Sequence, residues 1–201
     1  MEFFDTIRMR HSTRHFKDDG IPECDLRKML EAATLAPSAT NDQPWHFIVI
    51  QNNDLKNTMR DIVIAVLEAE ITSTEDKARI KRLSNMRMFS THFANAPAAI
   101  AVLARPWAGS VYSTSGESVP RDLGIESASM ASNQLLLAAT DLGYGSCYSS
   151  APAEFARVEL EAVLDVNPPW FLLGIISLGI TAKIPQTLAA RKPLDEVTTF
   201  I

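Results

Sequence analysis

Residues 122–149 read DLGIESASMASNQLLLAATDLGYGSCYS, and this stretch decides the fold. Small and apolar side chains cover several sides of a helix over Asp122–Leu142, and Gly143 follows as a natural left-handed C-terminal residue. A helix that is apolar nearly all round must be buried nearly all round. The pattern therefore predicts a central helix that is covered either by the core of its own chain alone or in part by a partner subunit. Tyr144–Ser149 then predicts a strand.

Shorter apolar runs on both sides of this stretch predict the other strands and helices. Strands are predicted at His46–Ile50, Ala98–Ala104 and Phe171–Leu178. The helical spacing of apolar residues predicts helices at about 1–9, 22–35, 55–67, 80–93 and 153–164. The glycine, serine and proline residues at 109–120 predict a mobile loop. Helices between short apolar strands indicate an α/β or α+β sandwich.

The bulk composition fits one compact globular domain over residues 1–201. Hydrophobic residues make up 46% of the 201 residues, and charged residues make up 21%. The formal net charge of −5 argues against a general affinity for nucleic acid or for anionic membranes, because both favour basic patches. The longest strongly apolar stretch, Trp170–Ile180, is far shorter than the ~20 residues that cross a bilayer.

The cysteines and histidines do not follow a metal-binding pattern. Cys24 and Cys147 lie far apart without a CxxC or zinc spacing, which is typical of free thiols in a reducing cytosol. The four histidines have no metal-ligand spacing, and we interpret His46, at the start of an apolar strand, as a core histidine. The sequence also has no GxSxG, Walker A or HExxH motif. We therefore expect a soluble, cytoplasmic protein without a metal centre.

Two arginines and two hydroxyl side chains fall within five residues near the N-terminus. These residues are Arg10, His11, Ser12, Thr13 and Arg14. The planar donor fork of arginine matches a phosphate group, and a serine hydroxyl adds a short hydrogen bond. The segment is therefore either a phosphate-binding loop or a solvated basic loop.

Three other segments combine polar side chains with turn-forming residues. Residues 37–45, PSATNDQPW, form a loop between two prolines that either reads the edge of a planar heterocycle or simply connects a helix to a strand. Residues 143–150, GYGSCYSS, predict a tight strand entry and then a small-residue exit where the backbone can approach a ligand closely. Residues 191–193, RKP, form either a solvated basic turn or a partner for an anion.

Taken together, these segments resemble the FMN-dependent nitroreductase family. The resemblance rests on RHSTRHF at 10–16, APSATNDQPWHFIVI at 36–50, LLLAATDLGYGSC at 135–147 and RKPLDEV at 191–197, which occur in the family's order. It implies an α+β fold, a three-layer sandwich in which helices flank a central, mainly antiparallel sheet. It also implies an intertwined homodimer with two FMN sites at the interface, in which a partner subunit would cover part of the helix at 122–142.

The resemblance also implies roles for individual residues. Arg10 and Ser12, together with Arg191 from the C-terminal tail, would hold the phosphate and ribityl chain of FMN, with help from Lys192. Arg14 would lie beside the pyrimidine side of the flavin, where a cation favours the reduced, anionic form. Three segments would supply the remaining cofactor contacts. The basic segment and the end of the 143–150 segment would contact the flavin of their own subunit, and the loop after residue 36 would approach the flavin of the other subunit. These residues are His11, Ser149, Ser150, Pro37, Ser38, Ala39, Asn41 and Gln43.

The implied activity is a two-step exchange through one site. NADH or NADPH would reduce the flavin and leave, and a nitroaromatic, a quinone or another electron-poor acceptor would take its place. Phe89 or Tyr112 would belong to the wall of the pocket. The same fold also allows other acceptors, including reductive dehalogenation or oxygen-dependent chemistry, and a non-catalytic FMN-binding or sensing dimer is a third interpretation. Some family members place an Asn and a Lys from the middle of the chain against the flavin ring, and Asn85 and Arg87 are the nearest candidates here. Some relatives carry an acidic residue followed by glycine where this chain has Ser149-Ser150.

Overall fold

A computed structural model describes residues 2–109, 118–183 and 189–201, so Tyr112 and most of the predicted 109–120 loop lie outside the described residues. Six α-helices alternate irregularly with four strands along this part of the chain. The helices are α1 (Phe3–Met9), α2 (Glu23–Thr34), α3 (Asn53–Thr72), α4 (Lys77–Thr91), α5 (Ser118–Asp141) and α6 (Ala151–Val163). The strands are β1 (Trp45–Ile50), β2 (Ala98–Ala104), β3 (Gly145–Ser149) and β4 (Phe171–Gly179).

Side-chain caps explain where the two consecutive helices α3 and α4 begin. The Asn52 side chain accepts hydrogen bonds from the backbone N–H groups of Asp54 and Leu55, at 2.9 and 3.1 Å. Asp76 likewise accepts from the N–H of Ala78 at 2.8 Å. These caps satisfy backbone donors that have no partner within a helix, and they start both helices earlier than apolar spacing alone predicts.

The four strands form one antiparallel sheet in the order β1-β2-β4-β3. Every residue of the central strand β2 is buried, because helices cover both faces of the sheet. Helices α2 and α5 pack on one face around Ile100 and Ile176, and α3, α4 and α6 pack on the other around Ala101 and Ile175. The molecule is therefore an α+β three-layer sandwich, as predicted.

Helix α5 is covered by its own chain on one side. Ala128, Ala131 and Leu135 are fully buried against α2 and the sheet, whereas Met130 is 47% exposed. The open side continues over α1 and the end of α2 into a hollow of about 450 Å³ whose lining includes Phe3, Leu35 and Leu137. We call the set of exposed apolar residues Phe3, Phe4, Leu35 and Met130 the apolar face. The core of a single chain thus leaves part of the apolar helix uncovered.

The C-terminal tail extends from the domain without packing on it. Every residue from 189 to 201 is exposed, including Leu194, Val197 and Phe200. Within the described ranges, no helix is long and apolar enough to cross a membrane.

Candidate functional site

The basic segment at 10–16 is fixed to the sheet at the beginning of β3 and the end of β4. The backbone N–H of Thr13 donates to the carbonyl of Ser146 at 2.9 Å, and the N–H of Lys17 donates to the carbonyl of Ile180 at 2.9 Å. These bonds extend the ladder beyond the four strands. The segment is therefore an ordered wall beside β3 rather than a freely solvated loop.

Gly145 permits this close approach. A Cβ atom at this position would lie 2.3 Å from Oγ1 of Thr181 and 2.7 Å from the Thr13 side chain, distances that no real Cβ contact allows. The GxG pattern at 143–145 therefore lets the basic segment lie against the start of β3.

Arg10, Ser12 and Arg14 belong to the segment that runs beside β3, where Ser12 forms a bridge with Ser146, the neighbour of Cys147. Burial raises the pKa of the Cys147 thiol, while Arg14, a hydrogen bond from Ser12 and Arg10 each act to lower it. Both ring nitrogens of His11 are engaged by the segment itself, with Nδ1 at 2.8 Å from the Met9 carbonyl and Nε2 at 3.3 Å from Oγ1 of Thr13. The structure thus gathers two guanidinium groups and a hydroxyl at the edge of the sheet.

Arg14 holds an unsatisfied buried donor. Its Nε is buried without a hydrogen-bond partner among the residues that the structure describes, and its guanidinium carbon lies 5.2 Å from the centre of the Phe89 ring. The Ser149 hydroxyl donates to the Phe89 carbonyl at 3.0 Å, so Phe89, Arg14 and the end of β3 lie together. Ser150 follows as the exposed residue before α6. A buried donor without a partner requires an explanation, and a ligand beside β3 provides one.

The loop at 37–43 is rigid and strained. Three non-glycine residues have positive φ angles: Thr40 at 52°, Asn41 at 59° and Gln43 at 50°. The Gln43 N–H donates to Oγ of Ser38 at 3.0 Å, which closes the loop on itself. Such conformations persist only where surrounding contacts impose them, and they cluster at functional sites.

A two-point ion pair imposes the conformation of this loop. Arg105, at the end of β2, donates from Nη1 and Nη2 to the Asp42 carboxylate at 2.9 and 3.0 Å. Both side chains are largely buried, and Nε1–H of Trp107 donates to Oγ1 of Thr40 at 2.9 Å. These contacts leave Pro37, Ser38 and Ala39 presented at the turn before β1.

The basic segment and the 37–43 loop lie at opposite edges of the sheet. The loop precedes β1, the basic segment lies against β3, and β2 and β4 separate those two outer strands. Three strand spacings place the two edges about 14 Å apart. Within residues 2–109 and 118–183, no hydrogen bond or ion pair joins the two segments. One chain therefore does not bring all the predicted cofactor contacts together.

Arg191 and Lys192 also lie apart from Arg10 in the single chain. Both are exposed in the tail, and Nη1 of Arg191 donates to the carbonyls of Ala189 and Ala190 at 2.9 and 3.3 Å. The grouping of Arg191 with Arg10 stays a prediction that depends on a second protomer.

The two mid-chain candidates fall on different sides of α4. Arg87 pairs with Glu68 of α3 at 3.3 Å, away from Arg14. Asn85 lies one helical turn before Phe89 and thus on the same side of the helix as the Arg14 contact. In the sequence, the i, i+4 spacing of Asn85 and Phe89 distinguishes Asn85 from Arg87 as the residue on the Phe89 side of the helix.

The core histidine is His92 rather than His46. His46 is exposed at the edge strand β1, where its ring lies 5.7 Å from that of Trp170, so the interpretation of His46 was wrong. His92 is buried, and its Nδ1 lies 2.8 Å from Oγ of Ser177 on β4. Ile48 and Ile50, on the same face of β1, pack in the core, whereas His46 lies near the start of this edge strand in the lining of a hollow beside Trp170. An apolar run alone does not show where the cover of a strand ends.

Burial, with smaller contributions from Arg14 and His15, lowers the pKa of His92 to about 4. The unfolded chain therefore binds more protons between pH 4 and 6.5, so this stability is present above pH 6.5 and is lost as the pH falls towards 4. We expect the wild-type free energy of unfolding to fall by about 3 kcal/mol more than that of His92→Gln between pH 7 and pH 4. Urea unfolding at both pH values measures this, and equal losses would contradict it.

Comparison with known proteins assigns the chain to a family. The model of the Nitroreductase family matches residues 7–180. The chain therefore belongs to the nitroreductase family, which confirms the family and the fold that the sequence predicts.

Individual relatives agree over most of the chain. A relative from Archaeoglobus fulgidus, provisionally named NADH dehydrogenase/NAD(P)H nitroreductase, is 32% identical over 174 residues, which are 86% of this chain and 82% of the relative. The crystal structure of a BluB-like flavoprotein from Clostridium difficile is 30% identical with a TM-score of 0.87, covering 100% of this chain and 99% of that one. Iodotyrosine deiodinase bound to FMN and 3-iodo-L-tyrosine shares the fold, with a TM-score of 0.75 at 23% identity over 99% of this chain and 100% of that one.

Proposed function

We propose that this chain is an NAD(P)H-dependent oxidoreductase that binds FMN, acts as a homodimer and reduces nitroaromatics, quinones or similar electron-poor acceptors by a ping-pong mechanism. The observation that carries the proposal is the Arg14 guanidinium beside the edge strand β3, whose buried Nε has no hydrogen-bond partner in residues 2–109, 118–183 and 189–201. Family membership and the flavoprotein relative at 30% identity support the same cofactor and class of enzyme as the sequence motifs.

The residues at the edge of β3 fit FMN. Arg10 and Ser12 offer a guanidinium and a hydroxyl to the phosphate, and Arg14 offers an unsatisfied donor to the flavin ring. When bound, FMN supplies the redox chemistry, because it accepts a hydride from a reduced nicotinamide and passes two electrons to an acceptor.

The protein contributes position and charge to this chemistry. The Arg14 cation, fixed against the ring of Phe89, stabilises negative charge on a reduced flavin placed beside it. Ser150 stands after the end of β3 as a hydrogen-bond donor for the opposite edge of the ring, whereas the Ser149 hydroxyl donates its proton to the Phe89 carbonyl and offers the ring only its lone pairs. No side chain acts as a nucleophile in this scheme.

A second protomer would complete the site. The apolar face exposes Phe3, Phe4, Leu35 and Met130, a set of side chains that a dimer interface would bury. Because the 37–43 loop lies at the other edge of the sheet from Arg14, it would reach a flavin bound to the partner rather than one bound to its own chain. The exposed tail with Arg191 and Lys192 would cross to the partner in the same way.

An anaerobic titration tests the proposal. The purified protein should be yellow, NADH or NADPH should bleach the flavin absorbance, and an added nitroaromatic or quinone should restore it. A yellow protein that neither nicotinamide bleaches would instead identify a non-catalytic FMN-binding dimer. If the nicotinamide bleaches the flavin but only a halogenated phenol or oxygen restores its absorbance, the acceptor class proposed here would be wrong, and dehalogenation or oxygen-dependent chemistry would take its place.

A further inference from the structure

A cleft of about 670 Å³ opens between α4 and α6. One wall carries charged and amide side chains of α4, the opposite wall carries Glu154 of α6, and the floor is apolar. The lining residues are Arg79, Arg82, Leu83, Asn85, Met86, Glu154 and Phe155. The cleft is large enough for a small aromatic molecule.

This cleft lies on the side of α4 that also carries Phe89, the residue that contacts Arg14 in the proposed flavin site. Arg82, Asn85 and Phe89 are spaced i, i+3 and i+7, which places them on one face of the helix. Phe89 contacts Arg14, and its carbonyl accepts the Ser149 hydroxyl immediately before α6 begins. At 1.5 Å per residue, Arg82 lies about 10 Å along the helix axis from Phe89.

Arg82 is the guanidinium in this cleft that is available to a ligand. Arg79 pairs with Glu70 at 2.5 Å, whereas Arg82 forms no ion pair within the described part of the chain. Helix α4 as a whole carries five basic residues and no acidic residue, although the chain has a net charge of −5. A locally positive wall in a negative protein attracts anions to this end of the site.

We propose that Arg82 binds the carboxylate of the acceptor, so that the enzyme prefers aromatic acceptors that carry a carboxylate group. This inference rests on the proposed function and names the acceptor class of the same site. The arginine fork matches a carboxylate, and the floor formed by Leu83, Met86 and Phe155 receives the apolar body. Glu154, on the opposite wall, disfavours a doubly charged phosphate.

Two acceptors of nearly equal shape test this preference. 4-Nitrobenzoate carries the carboxylate, and 4-nitrobenzamide replaces it with a neutral group. In the FMN-loaded enzyme, we expect Arg82→Gln to lower the ratio of kcat/KM for 4-nitrobenzoate to that for 4-nitrobenzamide about tenfold. An unchanged ratio would overturn the proposal.

Arg87→Gln is the matched control, because it removes the same charge from the same helix at a residue that already pairs with Glu68. In Arg87→Gln, the ratio of kcat/KM for the two acceptors should stay at the wild-type value. If both variants lost the preference equally, only the overall charge of α4 would matter, and the role of Arg82 would be overturned. Glu154→Gln should leave or raise the preference for 4-nitrobenzoate. A loss of that preference would show that the site takes a zwitterion and would also overturn the proposal.

Direct binding separates this inference from the proposed function. Calorimetry with benzoate on the FMN-loaded protein should show about tenfold weaker binding in Arg82→Gln than in wild type. If neither these nitro compounds nor a quinone is reduced, the proposed function fails, and the benzoate measurement still decides whether Arg82 holds a carboxylate. Equal benzoate affinities in the two proteins would refute the subsite.

Discussion

The double variant Arg10→Ala/Arg191→Ala should be purified without FMN. Each charge-assisted contact to a phosphate contributes about 1.5–3 kcal/mol, so each single variant should bind FMN about ten- to a hundred-fold more weakly. Because both arginines would contact one phosphate, the two losses need not add, but the double variant should bind FMN more weakly than either single variant. The dissociation constant follows from quenching of FMN fluorescence on titration with apoprotein.

Arg8→Ala provides the control for this measurement. Arg8 is an exposed arginine two residues before Arg10, and it pairs with Asp5 at 3.2 Å on the surface of α1. Its removal changes the net charge by as much as either single variant does, but it should leave the FMN affinity within about twofold of wild type, since surface pairs contribute little. If the double variant retained wild-type affinity, Arg10 and Arg191 would not be the phosphate ligands.

Apolar runs were sufficient to predict the sheet. The predicted strand Ala98–Ala104 has the observed bounds of β2, because a strand covered on both faces is apolar at every residue and Arg105-Pro106 ends the run. Strand β1 begins one residue before the predicted start, at Trp45, which pairs with Ala104. Helix α5 begins at Ser118 rather than Asp122, because Pro120 lies in its first turn, where the missing backbone N–H of a proline breaks no helical hydrogen bond.

The contacts between distant segments could not be predicted in the same way. Asp42 and Arg105 are 63 residues apart, and no local pattern shows that they form the ion pair that holds the 37–43 loop. His92 and Ser177 are 85 residues apart and meet only because α4 ends over β4. Sequence spacing describes one face of one element, whereas these pairs depend on how elements pack.

The candidate site shows the same division. The residues at 10–16 left open a phosphate-binding loop or a solvated basic loop, and the family resemblance implied the first. The structure adds that Gly145 and the Thr13–Ser146 hydrogen bond fix the segment beside β3. Phe89 was predicted only as a pocket wall, whereas the structure places its ring against the Arg14 guanidinium. The distance between the basic segment and the 37–43 loop became visible only from the order of the strands.

That distance supports the central claim, which is that each FMN site takes residues from two protomers. Suppose one protomer carries Arg14→Ala and its partner carries Ala39→Trp, which adds bulk to the 37–43 loop. In a shared-site dimer, one site then contains both defects and the other site contains neither, because each site combines the basic segment of one chain with the loop of the other. Each single-variant homodimer, in contrast, has a defect in both sites.

The FMN content of this mixed dimer, purified through different tags on the two chains, is the most direct measurement. Sites shared between protomers predict about half the FMN content and half the NAD(P)H oxidation rate of the wild-type dimer, while both variant homodimers stay near zero. A mixed dimer as empty as the two homodimers would show that each site is built within one chain, and it would contradict the account.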